Sequence, residues 1–245
     1  MNVFAADLHI HTDLSPCGSE EMTPPAIVQA ALERGLAMIA ICDHNSARNT
    51  AATQEAAGPD LAVLAGMEVT SAEEVHVVGL FPDAATAQAA AEEVGATLPE
   101  ADLAYERWFG AQHVLDAAGA IVGAESRMLG TASRLALSDV VELIHRHQGV
   151  AAAAHVNRPS FSVFSQLGMF PTTAGFDAIE LFSAPNVPSR AAEFTQYGLP
   201  LLTSSDSHYL ADVGRTCTQV TMAAPTFDEL VQALRGTDGR GVACA

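Results

Sequence analysis

The chain has 245 residues, 49% of them hydrophobic, which is enough for one large domain with a substantial buried core. Eleven basic residues, all arginine, face 29 acidic ones, and the formal net charge of -18 disfavours a long nucleic acid as partner and favours a small substrate. No apolar run reaches membrane-spanning length and no leader pattern precedes the first strand, so the cytoplasm is the expected location and no membrane partner is expected.

The chain opens on the apolar run Val3 to Ala6, followed by Asp7-Leu8-His9-Ile10-His11. Side chains alternate faces along a strand, so His9 and His11 are expected to share a pocket while Leu8 and Ile10 pack on the other side. A polar loop leads to a helix from Pro24 to about Arg34, with Thr23 as its N-cap and Gly35 as its stop. Met38 to Cys42 reads as a short strand ending in Asp43-His44-Asn45. The pattern recurs at Leu61 to Leu64, which leads to Glu68, and at Glu74 to Phe81, where alternation sets His76 beside Val78 and Leu80. A histidine among such neighbours is by itself more often a core residue than a ligand.

From Pro82 to about Ser138 the repetition loosens. Helices are expected at Ala84 to Val94 and Ala101 to Ala118, with a short element from Ala120 and a hairpin turn at Glu125 to Arg127. We read 82–137 as an insertion or cap within a single domain spanning 1–245. Trp108 is expected to pack, and His113, His145 and His147 to lie on the solvated faces of helices. Alternation then returns. A helix capped by Ser138 runs to about His147, and Val150 to Ala154 delivers His155 and Arg158. Next come a strand at Ala178 to Phe182, a helix near Ser189 to Tyr197, and a strand from Leu199 to Thr203 that ends at Asp206 and His208. A strand near Gln219 to Met222 and a helix from Thr226 to Arg235 close the chain. This order predicts a parallel sheet, as a barrel or doubly wound.

In a parallel α/β barrel the active site lies at the carboxyl ends of the strands. His9, His11, His44, Glu68, His76, His155, Asp206 and His208 all fall at such ends, and they form a nitrogen and oxygen set suited to divalent ions. Eight ligands exceed the needs of one ion, which points to two or three. The four cysteines lack CxxC spacing, so neither a zinc knuckle nor a disulfide framework is indicated.

Together, the segments Asp7 to Thr12, Cys42 to Asn45, Gly66 to Glu68, His76 to Leu80, Ala154-His155 and Ser205 to His208 resemble the polymerase and histidinol phosphatase (PHP) family. The resemblance covers nearly the whole chain apart from roughly Pro82 to Ala136. It implies a distorted seven-stranded β/α barrel with an inserted helical segment, carrying up to three metals drawn from zinc, manganese, iron or magnesium. It also implies hydrolysis of phosphoesters, from phosphomonoesters to nucleotides and short oligonucleotides. Many members place an Asp or His a few residues after the HxH pair. Here the loop reads Ser15 to Glu21, which leaves Cys17, Glu20 and Glu21 as alternative replacements.

The expected mechanism is in-line attack on phosphorus by a metal-activated water, with His155, Asp206 and His208 as catalytic residues. Arg158 is the first candidate to hold a phosphate oxygen, ahead of Arg127, Arg190 and Arg48. Asp43 is expected to orient histidines from behind, Asp7 to support them or face solvent, and Asp13 has no assigned role. An amidohydrolase-like C–N hydrolase is the alternative enzyme, disfavoured because the chain has no lysine to bridge the metals. A non-catalytic module is the other alternative, disfavoured because all eight ligand positions are filled. The sequence leaves a homo-oligomer open.

Overall fold

The short strand segments are apolar because both of their faces are covered: Met38–Ile41 and His76–Phe81 are buried at every position. The computed structural model describes residues 1–183 and 191–244. Its strands are β1 (Asn2–Ile10), β2 (Met38–Ile41), β3 (Ala62–Thr70), β4 (His76–Phe81), β5 (His113–Leu115), β6 (Ile121–Ala124), β7 (Val150–Ala153), β8 (Ala178–Phe182), β9 (Leu201–Ser204), β10 (Thr218–Met222) and β11 (Gly241–Cys244). The helices are α1 (Pro24–Glu33), α2 (Thr50–Ala57), α3 (Ala84–Gly95), α4 (Leu103–Phe109), α5 (Leu137–Arg146), α6 (Val163–Leu167), α7 (Ala191–Phe194) and α8 (Phe227–Leu234).

The main sheet runs β11-β10-β1-β2-β3-β4-β7-β8-β9. It closes on itself at one end, where Ile10 of β1 bridges Ser207 beyond β9 and the His11 N–H donates to the Ser207 carbonyl at 2.9 Å. The strands from β1 to β4 and from β7 to β9 thus make a nearly closed, distorted ring. Strands β10 and β11 are antiparallel additions beside the first half of β1, so the described sheet holds nine strands where seven were expected. Strand β4 is antiparallel to both β3 and β7, which departs from an all-parallel ring. Only Ser71 to Val75 join β3 to β4, too short a link for a crossover helix.

One apolar cluster takes Ala6, Leu8, Ala40, Leu64, Val78, Ala152, Ala178 and Leu202 from successive ring strands and is therefore the ring interior; α8 plugs it with Leu230. Two other clusters pack the outward faces against helices, among them Ile10, Ile39 and Ile41 against α1, and Val77 and Ala153 against α5 and its surroundings.

Between Pro82 and Leu137 the structure differs from expectation. The helix expected to reach Ala118 stops at Phe109, because Gly110 takes a left-handed backbone, and the following residues pair as the β5–β6 hairpin. That hairpin turns at Asp116 to Ala120 instead of Glu125 to Arg127. Trp108 does not pack, being 85% exposed. His113 lies on β5 instead of a helix, with Nδ1 at 2.7 Å from Asp13 Oδ2. Ser138 sits inside α5, which starts one residue earlier without a side-chain cap. Helices α2 and α6 and strand β11 were not expected; α2 lacks an apolar stripe. Ser189 and Arg190 lie outside the described residues. Among the described residues no helix is long and apolar enough to cross a membrane.

Candidate metal centre

All eight candidate ligands converge at one mouth of the ring. His9 and His11 come from the end of β1, His44 from just beyond β2, Glu68 from β3, His155 from just beyond β7, and Asp206 and His208 from beyond β9. His76 is the exception to the carboxyl-end rule. It stands at the amino end of β4, and reversal of that strand brings it to the same mouth. Leu8 and Ile10 do not pack together as expected: Leu8 joins the ring interior and Ile10 the outer layer. The β1–β2 pairing shifts register between Asp7 and Ile10, and a bulge of this kind re-aims side chains so that Leu8 and His9 both face inward. Gly66, below Glu68, must lack a side chain, since a Cβ there would lie 2.8 Å from the Ile41 carbonyl oxygen as well as 2.6 Å from Cys42 Sγ.

Glu68 is the hub. Its Oε1 lies 2.8 Å from His76 Nδ1 and 3.1 Å from His155 Nε2, and its Oε2 lies 3.0 Å from His44 Nδ1. Asp206 Oδ1 is 3.1 Å from His11 Nε2 and 3.5 Å from His9 Nε2. Three overlapping sets each bring their ligand atoms within 4.8 Å of one another: His9, His11, Glu68 and Asp206; His44, Glu68 and His76; and His11, His44 and His208.

The donor atoms fit cations better than they fit each other. His9 Nε2 and His11 Nε2 face one another at 3.2 Å, and His76 Nδ1 faces His155 Nε2 at 3.3 Å. His9 Nδ1 donates to Glu180 at 3.0 Å, which leaves the Nε2 lone pair turned to the cluster. Ser15 Oγ donates to Asp43 at 2.7 Å, so it accepts from His11 Nδ1 at 3.0 Å, and His11 Nε2 is likewise left as an acceptor. Once His9 gives up its Nε2 proton, acceptors thus face acceptors, an arrangement that a cation resolves. His44 Nδ1 and His155 Nδ1 are buried without a hydrogen-bond partner; the short His44–Glu68 approach lacks hydrogen-bond direction. A cation at the cluster would satisfy His44 Nδ1 and the Nε2 atoms of His9 and His11, while His155 faces the cluster through Nε2, 3.1 Å from Glu68.

Behind the cluster stands Glu180, to which the sequence assigned no role, together with Asp7 and Asp43. Glu180, which projects inward from β8, holds His9 Nδ1 and the His155 N–H, the latter at 3.1 Å. Strand alternation with the interior residue Ala178 was the signal that pointed to it. Asp7 does not face solvent: it is fully buried and accepts from the Ser205 N–H at 2.9 Å and the Gly214 N–H at 2.8 Å. Asp43 reaches His11 only through Ser15, and its second oxygen accepts from Thr12 Oγ1 at 2.8 Å. The His208 Nδ1 donates to the Asp206 carbonyl at 2.9 Å.

Burial pushes the Glu68 and Asp206 carboxyls up, but surrounding imidazoles outweigh it and hold both well below the usual range. Burial lowers His9, yet Glu180, Glu68 and Asp206 raise it well above an ordinary imidazole, while burial together with His208 keeps His11 well below. Asp7, dominated by burial, rises to about 6. Non-glycine residues with a left-handed backbone concentrate here: Asn45, Glu74, His155, Phe161 and Asp206 all have positive φ. Strain of this kind is stored where function needs a fixed geometry.

Of the alternatives after the HxH pair, Cys17 is the one beside the cluster. The residue is exposed, and it lines the same hollow at the mouth as His44 and His76. Glu20 and Glu21 are exposed. Arg158 reaches the mouth, where it pairs with Asp206 Oδ2 and lies over the Phe182 ring at 4.2 Å. Arg48 pairs with Glu125 at 3.3 Å, and Arg127 donates to the Leu98 carbonyl at 3.2 Å; both line a separate hollow beside the mouth.

The PHP domain profile matches residues 7–167 and a PHP-associated profile, PHP_C, matches residues 189–237. No curated protein matches the sequence. Among solved structures, the lesion-specific endonuclease Q of Pyrococcus furiosus superposes with a TM-score of 0.75 at 20% identity; the match covers 98% of this chain and 58% of that one. Endonuclease Q has also been solved with a 27-mer duplex substrate carrying an abasic lesion. The charge argument against a long nucleic acid is therefore not general for this fold. A protein assigned as a metal-dependent phosphoesterase, from Bifidobacterium adolescentis, gives 0.62 at 18% identity, with 92% and 93% of the two chains covered. An amidohydrolase from Chromobacterium violaceum, solved with bound sulfate and no metal, gives 0.59 at 21% identity over 93% and 96%.

Proposed function

The chain belongs to the PHP domain family, and from that premise we propose that it is a metal-dependent phosphoesterase acting on a small phosphorylated substrate, whether a phosphomonoester, a nucleotide or a short oligonucleotide. The observation that carries the proposal is the convergence of Glu68 and Asp206 with six imidazoles at one mouth. In this reading His9, His11, Glu68 and Asp206 hold one ion, and Glu68, His76 and His155 hold a second. His44 and His208 hold a third, with Cys17 in the position the sequence left open. Two or three divalent cations there supply Lewis acidity toward phosphoryl oxygens and water.

The chain's own residues prepare the rest. Glu180 and Ser15 fix the tautomers of His9 and His11, so that both present a lone pair without reorganisation. Arg158 offers a planar fork to a phosphate oxygen by exchanging its Asp206 partner, and the Phe182 ring beneath keeps the guanidinium from swinging away. His155, Asp206 and His208 border the reacting phosphoryl group as the catalytic positions. Residues 1–245 act as one domain, with 82–137 as an insertion or cap within it.

DNA enters as a second substrate class because endonuclease Q binds a duplex. This chain spans 58% of that protein and carries a net charge of -18, which supports a small substrate over a duplex. Metal analysis of the purified protein, followed by assay of phosphomonoesters, dinucleotides, an abasic duplex and simple amides with added manganese, tests the proposal. Turnover of amides alone, or metal-loaded protein inert toward every phosphoester, would refute it.

A further inference from the structure

The mouth opens into a hollow of about 500 Å³ whose chemistry differs from that of the ligand cluster at its base. His44 and His76 form its floor. Its walls include Pro16, Phe109 and Phe161. Among the described residues, the charged side chain on its lining, the two imidazoles and the Cys17 thiol aside, is that of Glu74, an acid, and no arginine lines it. A substrate whose phosphate sits on the cluster must direct the remainder of its structure into this space or past it.

Phe161 is held in place by more than packing. Its ring stacks on the His76 imidazole, with centroids 4.7 Å apart and planes 17° from parallel. Its carbonyl accepts the His76 N–H at 2.9 Å, and its backbone is left-handed, at φ 54, which disfavours a residue with a bulky side chain. Despite that, 41% of the residue remains exposed. Phe109 approaches from the cap. It is 53% exposed and packs against Tyr105 at 4.7 Å, whose hydroxyl accepts the Gly130 N–H at 3.0 Å and so ties that part of α4 to the rim. Two exposed rings on different segments therefore flank one opening above two candidate ligands.

We propose that this hollow is the specificity pocket for the group esterified to the phosphate, and that Phe161 and Phe109 select a flat, uncharged ring there. The inference rests on the phosphoester reading of the metal centre. An aromatic face attracts a planar ring by stacking and by removal of apolar surface from water. The Glu74 carboxylate on the lining disfavours a second phosphate or a carboxylate at the same position. The substrate class selected is a phosphoester of an aryl-bearing or heteroaromatic alcohol, in preference to phosphorylated acids or sugar bisphosphates.

Benzylphosphonate and ethylphosphonate carry the same headgroup, resist hydrolysis and differ by the ring, so titration calorimetry on manganese-loaded protein isolates the pocket. Wild-type protein is expected to bind benzylphosphonate about tenfold more tightly than ethylphosphonate. In Phe161→Leu and Phe109→Ala that ratio should fall to within about twofold of unity. Because the ratio is taken within each variant, any loss of metal from Phe161→Leu cancels, and Phe109 touches none of the ligands. The matching ratio of kcat/KM for benzyl phosphate over ethyl phosphate, esters with leaving groups of similar basicity, should change in parallel. Equal binding of the two phosphonates by wild-type protein, or an unchanged ratio in both variants, overturns the pocket while leaving the metal centre standing. Failure of both phosphonates to bind and of both esters to react overturns the phosphoester reading and this inference with it.

Discussion

The Glu180 carboxylate accepts His9 Nδ1 at 3.0 Å from a position 171 residues away in the chain, and so decides which nitrogen of His9 faces the cluster. Both groups are buried. Glu180→Gln keeps the shape but gives up the charge that favours the N–H on Nδ1, and metal affinity should fall by about 10- to 100-fold. Glu180→Ala should cost roughly 3 kcal/mol of stability besides, because it leaves buried donors unpaired. Metal titration and denaturant melts measure the two effects. Unchanged affinity in Glu180→Gln would refute the orienting role.

His155→Ala and Asp206→Ala remove a ligand and a catalytic position while leaving the ring strands intact. Each should lower kcat/KM on a phosphomonoester by more than about a hundredfold, with far-ultraviolet circular dichroism unchanged. Activity retained in both variants would count against the site.

The converging acceptors should make the cation a folding partner. At a metal concentration about a hundredfold above its dissociation constant, one bound ion adds roughly 2.7 kcal/mol, which corresponds to a rise in Tm of roughly 5–10 °C for a domain of this size. Differential scanning calorimetry with zinc or manganese and then with chelator tests this. No shift would mean that the cluster holds no ion.

Cys17 supplies a pH signature. Burial pushes its thiol up, but hydrogen bonds with His208 and His44 prevail and bring it down to about 6. The thiolate is the reactive form, so in metal-free protein alkylation by iodoacetamide should rise with pH and reach half its plateau at about 6, against about 8.5 for an ordinary thiol. Bound zinc should protect it. Mass spectrometry of the modified peptide separates Cys17 from the buried Cys42. A half-point near the ordinary thiol value, or no protection, would remove Cys17 from the third site.

Arg158→Lys should raise KM for a phosphomonoester about tenfold with metal content unchanged, because an ammonium matches neither the bidentate fork nor the stack on Phe182. Steady-state kinetics with parallel metal analysis decides it. An unchanged KM would indicate that Arg158 serves only its ion pair with Asp206.

Local chemistry was legible in the chain itself. Short apolar runs leading into His, Asp or Glu marked β2, β7 and β9 with His44, His155, Asp206 and His208, and the segments read at β1, β3 and β4 named His9, His11, Glu68 and His76, because strand periodicity and burial are written in neighbouring residues. Partnership across the ring was not legible. That β4 reverses, that a bulge turns Leu8 and His9 to the same side, that Glu180 backs His9, and that Cys17 lines the hollow beside His44 while Glu20 and Glu21 stay exposed all depend on which segments pack together. Pairing energies between separate segments of the chain leave no trace in either local sequence, so only the closed ring could decide them.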